Sequence, residues 1–156
     1  MGFNLDDPVR TFFNIGFNRN IFKFTHQDYF PTFSELPDEN ELDLRYYSDP
    51  FDSGSGVASP VKHWCLLVEV IRQIPWIRPM FMVKDGAGQQ FLVAFHLDSD
   101  QPSPKEALKH AKPGNTMSIM YAEQHFFMDG QHGIRLEGVK TVKVCFVTTY
   151  SENVGD

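Results

Sequence analysis

The sequence predicts a mainly β protein: a five-stranded small barrel with one short helix, preceded by an aromatic-rich N-terminal extension. Three observations carry this expectation. From about residue 61 onward, short runs rich in Val, Ile, Leu and Phe alternate with Pro, Gly and Asp punctuation, the pattern of strands and tight turns. A single strong helix start, Ser103-Pro104-Lys105-Glu106, falls between the third and fourth of those runs. Before residue 60 the composition is different, with twelve aromatic residues in 60 positions against ten in the following 96.

Each element has a local reason. Residues 64–74 form an apolar run that stops at Pro75, which cannot donate to a ladder. Residues 80–84 follow Pro79 as a second strand. Asp85-Gly86-Ala87-Gly88 supplies residues tolerant of a tight turn, and leads into a third strand over 90–97. In the helix start, Ser103 is placed to cap, Pro104 to occupy the first helical position, and Glu106 to close a capping box. Ala107, Leu108 and Ala111 form the inner face, and Lys112-Pro113-Gly114 ends the helix. Residues 116–127 read as a fourth strand, bulged near Ala122-Glu123. The turn Asp129-Gly130-Gln131-His132-Gly133 then returns the chain over 133–146 as one or two strands, with Val142, Val144 and Phe146 alternating. Three strands, a helix and two further strands in this order describe an OB-like barrel.

The same residues carry a family resemblance. Arg78-Pro79 through Val83-Lys84-Asp85, the strand Phe91-Leu92-Val93-Ala94-Phe95, and Lys112-Pro113-Gly114-Asn115-Thr116 are three of its parts. Tyr121-Ala122-Glu123-Gln124-His125-Phe126-Phe127-Met128-Asp129-Gly130, Gly133-Ile134-Arg135-Leu136-Glu137 and Thr141-Val142-Lys143-Val144 are the others. Together, over about residues 62–147, they resemble the OB-like region found beside MYND-type zinc fingers in fungal proteins. The resemblance implies a binding or regulatory architecture and carries no catalytic residues. The finger itself needs a cluster of Cys and His ligands, whereas this sequence has only Cys65 and Cys145.

Charge and composition divide the chain. Residues 1–60 carry four basic groups against ten acidic ones, which accounts for the whole net charge of -6, and residues 61–156 carry ten of each. We therefore expect an acidic, aromatic-rich arm and linker over 1–60, a barrel over 61–150, and a tail over 151–156. Nine phenylalanines in the arm are too many to leave in water, so it either packs on the barrel or docks on a partner or a second copy. Residues 11–24 suit a hairpin around Asn18-Arg19-Asn20. No apolar stretch approaches the roughly 20 residues of a membrane span. The N-terminus lacks the basic and apolar regions of a secretory signal, so an intracellular location is expected.

Two groups of residues can carry chemistry. Arg72, Trp76, Arg78 and Lys84, with Phe81 and Phe91, lie where an OB barrel binds single strands, because aromatics stack on bases and cations track phosphates. The tip between Pro75 and Pro79 is the best exposed contact. The zero net charge of the barrel half opposes nonspecific binding of this kind. Tyr121, Glu123, His125 and Arg135 can instead be read as an acid–base or metal-type pocket, since Glu123 and His125 share a face in a regular strand. His96, Asp98, Asp129 and His132 are further metal-type residues. The simpler expectation is a cross-strand Glu123–Arg135 ion pair. No nucleophile elbow, phosphate loop or dinucleotide fingerprint is present, and no catalytic residue, cofactor or metal is assigned. The leading expectation is a non-catalytic module acting through protein contacts, including homodimer contacts. A small enzyme or metal-binding protein and a single-stranded nucleic-acid binder are the alternatives.

Overall fold

A computed structural model describes residues 29–52, 54–98 and 104–145. The expected hairpin at 11–24, the cap Ser103 and the tail lie outside these residues. The strands are β1 (Cys65–Ile74), β2 (Met80–Asp85), β3 (Gln90–Phe95), β4 (Thr116–Met120), β5 (His125–Phe126), β6 (His132–Leu136) and β7 (Val142–Cys145). The helix α1 spans Pro104–Leu108, between β3 and β4.

Pairing makes a barrel of these elements. β1, β2 and β3 form an antiparallel meander, and β4 adds to the free side of β1. β6 lies parallel to β3, while β7 lies antiparallel to β4. The two edges of the sheet are therefore bound by two halves of one segment, 132–145, which closes it. This is the OB-like topology with its fifth strand split. Among the described residues, seven strands are present where five were expected: the split supplies one, and the two-residue β5 supplies the other.

The expected single strand over 116–127 is corrected. It breaks after Met120 because Tyr121 takes φ 57°, a left-handed conformation that ends regular pairing. Residues 121–124 then serve the N-terminal segment instead of the sheet. Trp64 Nε1 donates to the Ala122 carbonyl at 2.9 Å, and Gln124 forms a parallel bridge with Asp38. The bulge lies in β1, between Val70 and Arg72, and not at Ala122-Glu123.

One core fills the barrel. Leu66, Val68, Val70, Phe81, Val83, Val93, Phe95, Met117, Ile119, Ile134 and Val142 point inward from the strands. Phe33, Leu36 and Tyr46 join the same core from the N-terminal segment. The Phe33 ring stacks on Phe91 with centroids 4.0 Å apart. Its position is set by a short 3-10 turn, Phe33–Glu35, whose preceding Thr32 donates its N–H and its hydroxyl to Glu35 Oε2, each at 2.9 Å. Phe30, Met120 and Cys65 form a smaller cluster on the outer side of β1 and β4. Leu108 and Ala111 pack on the main core, as the inner face of the helix predicts. Among the described residues, no helix is long and apolar enough to cross a membrane.

Candidate interaction surface

Alternation decides what faces outward. Phe81 and Val83 enter the core, so Met80, Met82 and Lys84 of β2 face out. Register then places their neighbours on the same face. Ile74, Met80, Ala94 and Arg135 form one row across β1, β2, β3 and β6. Arg72, Met82, Leu92 and Gly133 form the next, and Glu69, Lys84 and Gln90 the third. The bulge after Val70 lets Glu69 and Arg72, three apart, share this face. The surface is thus aliphatic at its centre and cationic at its rim. Leu92 and Ala94 are buried, while Ile74, Met80 and Met82 are half-buried. Gly133 is required there: an added Cβ would lie 2.3 Å from the Leu92 carbonyl oxygen and 2.9 Å from the Phe127 ring.

The loop joining β1 to β2 stands at one end of this face. Trp76 is 69% exposed and Ile77 96%. The loop's exit is fixed by Phe95, whose N–H donates to the Pro79 carbonyl at 2.9 Å. Arg78 then donates from Nη1 to His96 Nδ1 at 2.5 Å. A guanidinium only donates, so Nδ1 is the acceptor and the neutral ring carries its proton on Nε2. His96 is held against β6 by its N–H, which donates to the Leu136 carbonyl at 2.7 Å. Its pKa is lowered, first by burial and then by the positive charges of Arg135 and Arg78, only partly opposed by Glu137.

The second candidate group does not converge. Tyr121 hydrogen-bonds to His63 through its hydroxyl. Glu123 accepts from the Tyr47 hydroxyl at 2.6 Å, and His125 Nδ1 lies 2.5 Å from Glu39 Oε1. Arg135 Nε pairs with Glu137 Oε1 at 2.7 Å, so the expected Glu123–Arg135 ion pair is replaced by two separate pairings. Three of these partners come from residues 39–63, because the break at Tyr121 turns 121–125 toward that segment. Burial, and then the bond to Glu123, raises the Tyr47 pKa. A cleft of about 310 Å³ adjoins Glu123 and is lined by Glu39, Asn40, Glu41, Leu42, Tyr47 and Ala58. Among the described residues, no three His, Cys, Asp or Glu side chains come together as a metal site.

The remaining candidates are distributed around the barrel. Phe81 and Phe91 are core residues, at 2% and 4% exposure, and cannot stack on a base. Arg72 is exposed on the outer face, and Lys84 pairs there with Glu69 at 3.3 Å, across the β1–β2 register. His132 is exposed, its ring 3.4 Å from that of Phe126. Sequence reasoning missed His96 as a partner of Arg78 and missed the row Ile74, Met80, Ala94. The alternation of β2 against Phe81 and Val83 was the available signal for that row.

No family model matches the chain, and no curated protein matches it. Among solved structures, it is similar to Schizosaccharomyces pombe Pot1pC bound to ssDNA (CGGTTACGGT). That likeness has 9% identity over 60% of this chain and 84% of that one, with a TM-score of 0.39. It is also similar to the S. pombe Stn1-Ten1 complex, at 10% identity over 76% of this chain and 79% of that one, with a TM-score of 0.40. The OB-like assignment rests on the chain's own strand order and pairing. In class, the protein is an OB-like barrel with an aliphatic, cation-rimmed outer face.

Proposed function

We propose that this chain is a non-catalytic, protein-binding module that engages its partner through the Trp76–Ile77–Arg78 loop and the adjoining outer face. The observation that carries this reading is the tip itself, where a tryptophan and an isoleucine stand 69% and 96% exposed beside an arginine. Trp and Arg are the residue types that dominate binding hot spots. The methionines next to them, Met80 and Met82, are adaptable contact residues. The resemblance to the OB-like region beside MYND fingers fits such a role, and the buried, free thiol of Cys65 fits an intracellular setting. The test is capture of partners by the chain, compared with its Ile77→Asp variant. Phe51→Asp, at a site 90% exposed on another loop, is the control. Loss at Ile77 and retention at Phe51 is expected; equal capture by all three would refute the reading.

A second reading is favoured by one observation: Arg72, Arg78, Lys84 and Arg135 surround the face next to an exposed Trp76. These are groups that track phosphates and stack on a base. Binding of a short oligothymidylate that weakens steeply with salt would support single-stranded nucleic acid as the ligand.

A further inference from the structure

We propose that Arg78, His96 and Arg135 form a seat for a carboxylate, and that the partner therefore presents an acidic segment with an apolar neighbour. The inference deepens the protein-binding reading and rests on it. Arg135 faces outward because Ile134 and Leu136, on either side of it in β6, are buried. Opposite it in register stands Ala94, a small residue that is itself buried. His96 follows two residues later, and its N–H bond to Leu136 keeps it beside Arg135. Arg78 reaches the same point from the loop, 2.5 Å from the imidazole. Two guanidiniums thus approach one neutral ring at one end of the outer face.

The pairing of Arg78 differs from that of several other cations. Arg45, Lys84, Lys109 and Arg135 each have a carboxylate partner. Among the described residues, no carboxylate lies within ion-pair distance of Arg78, whose fork is held by an uncharged His96. Its charge is therefore positioned but not neutralised. The Glu137 partner of Arg135 is 64% exposed, and a surface pair of this kind is weak enough to exchange. An incoming carboxylate would accept from both guanidiniums and from His96 Nε2–H, the strong, charge-assisted type of bond.

A carboxylate fits better than a phosphodiester for two reasons. The row beside the seat is Ile74, Met80 and Ala94, so that row offers no aromatic ring on which a base could stack. Glu69 and Glu137 also reduce the rim's field, on which phosphate backbones depend. The aliphatic row and Ile77 instead suit an apolar side chain next to the acidic one.

The test uses the full chain and three probes: a capped acidic peptide containing a leucine, its neutral Asn/Gln counterpart, and a short oligothymidylate. Side-chain NMR signals of His96, Arg78 and Trp76 report binding, and those of buried Trp64 report an intact fold. The acidic peptide is expected to give saturable shifts at His96 and Arg78, with affinity about tenfold weaker or worse in Arg78→Gln. The proposal is overturned if the acidic peptide gives no saturable shift or if the neutral peptide binds equally well. It is overturned also if Arg78→Gln leaves the affinity unchanged or if oligothymidylate binds more tightly than the peptide. The two claims fail separately. Peptide shifts at His96 with partner capture indifferent to Ile77→Asp would leave the seat and remove the docking reading.

Discussion

Asp85 offers the sharpest stability prediction. Its carboxylate is 5% exposed and accepts three backbone N–H groups: Phe33 at 2.8 Å on Oδ2, and Ala87 and Gln89 at 3.0 and 2.9 Å on Oδ1. It therefore closes the β2–β3 hairpin and anchors the segment that puts Phe33 in the core. Asp85→Asn keeps the shape and replaces one acceptor by a donor. If the amide keeps its oxygen toward the hairpin, the buried Phe33 N–H faces another donor; if it flips, Ala87 and Gln89 lose theirs. At least one bond to a charged acceptor is lost, worth about 1.5–3 kcal/mol, and a buried donor is left unpaired. We expect a cost of about 2–3 kcal/mol, read as a shift in the urea midpoint and a Tm lower by about 10 °C. Amide exchange at Phe33 or at Ala87 and Gln89 should accelerate at the same time. A variant within about 0.5 kcal/mol of the parent, with unchanged exchange, would refute this account of the hairpin.

Other expectations follow from the same geometry. Phe33→Ala removes a ring stacked 4.0 Å from Phe91 and should cost about 3–5 kcal/mol in urea unfolding; a loss under about 1 kcal/mol would mean that the N-terminal segment does not share the core. Gly133→Ala forces a Cβ to 2.3 Å from the Leu92 carbonyl and should destabilise by at least about 2 kcal/mol, with wild-type stability as the contrary result. Because the folded state depresses the His96 pKa below its ordinary 6.5, the unfolded chain binds the proton first. Stability contributed here is present above pH 6.5 and is lost as the pH falls from there toward the folded pKa. His96→Gln should flatten that part of the stability–pH curve, and an unchanged slope would assign it to other groups.

The first three strands were legible because Pro75, Pro79 and the turn after Asp85 bracket apolar runs whose alternation survives folding. The closing half was less so. Nothing in the sequence marks Tyr121 as a residue with positive φ, since Gly and Asn are the usual signals and a tyrosine is held there by tertiary contacts. With the strand broken, the spacing of Glu123 and His125 ceased to mean a shared face, and their partners came from Tyr47 and Glu39, more than 70 residues away. The exposure of the Trp76 tip could be read locally from its flanking prolines. Its companion His96 could not, because Arg78 reaches it only after the β2–β3 hairpin brings the two together.

Residue-resolved photo-crosslinking is the most direct test of the outer face as a docking surface. A photo-reactive amino acid would replace Ile77 in one preparation of the full chain and Phe51 in another. We predict adducts to a protein, through an acidic segment, from position 77 and not from position 51. Equal labelling from both positions, or nucleic-acid adducts alone from position 77, would contradict the account.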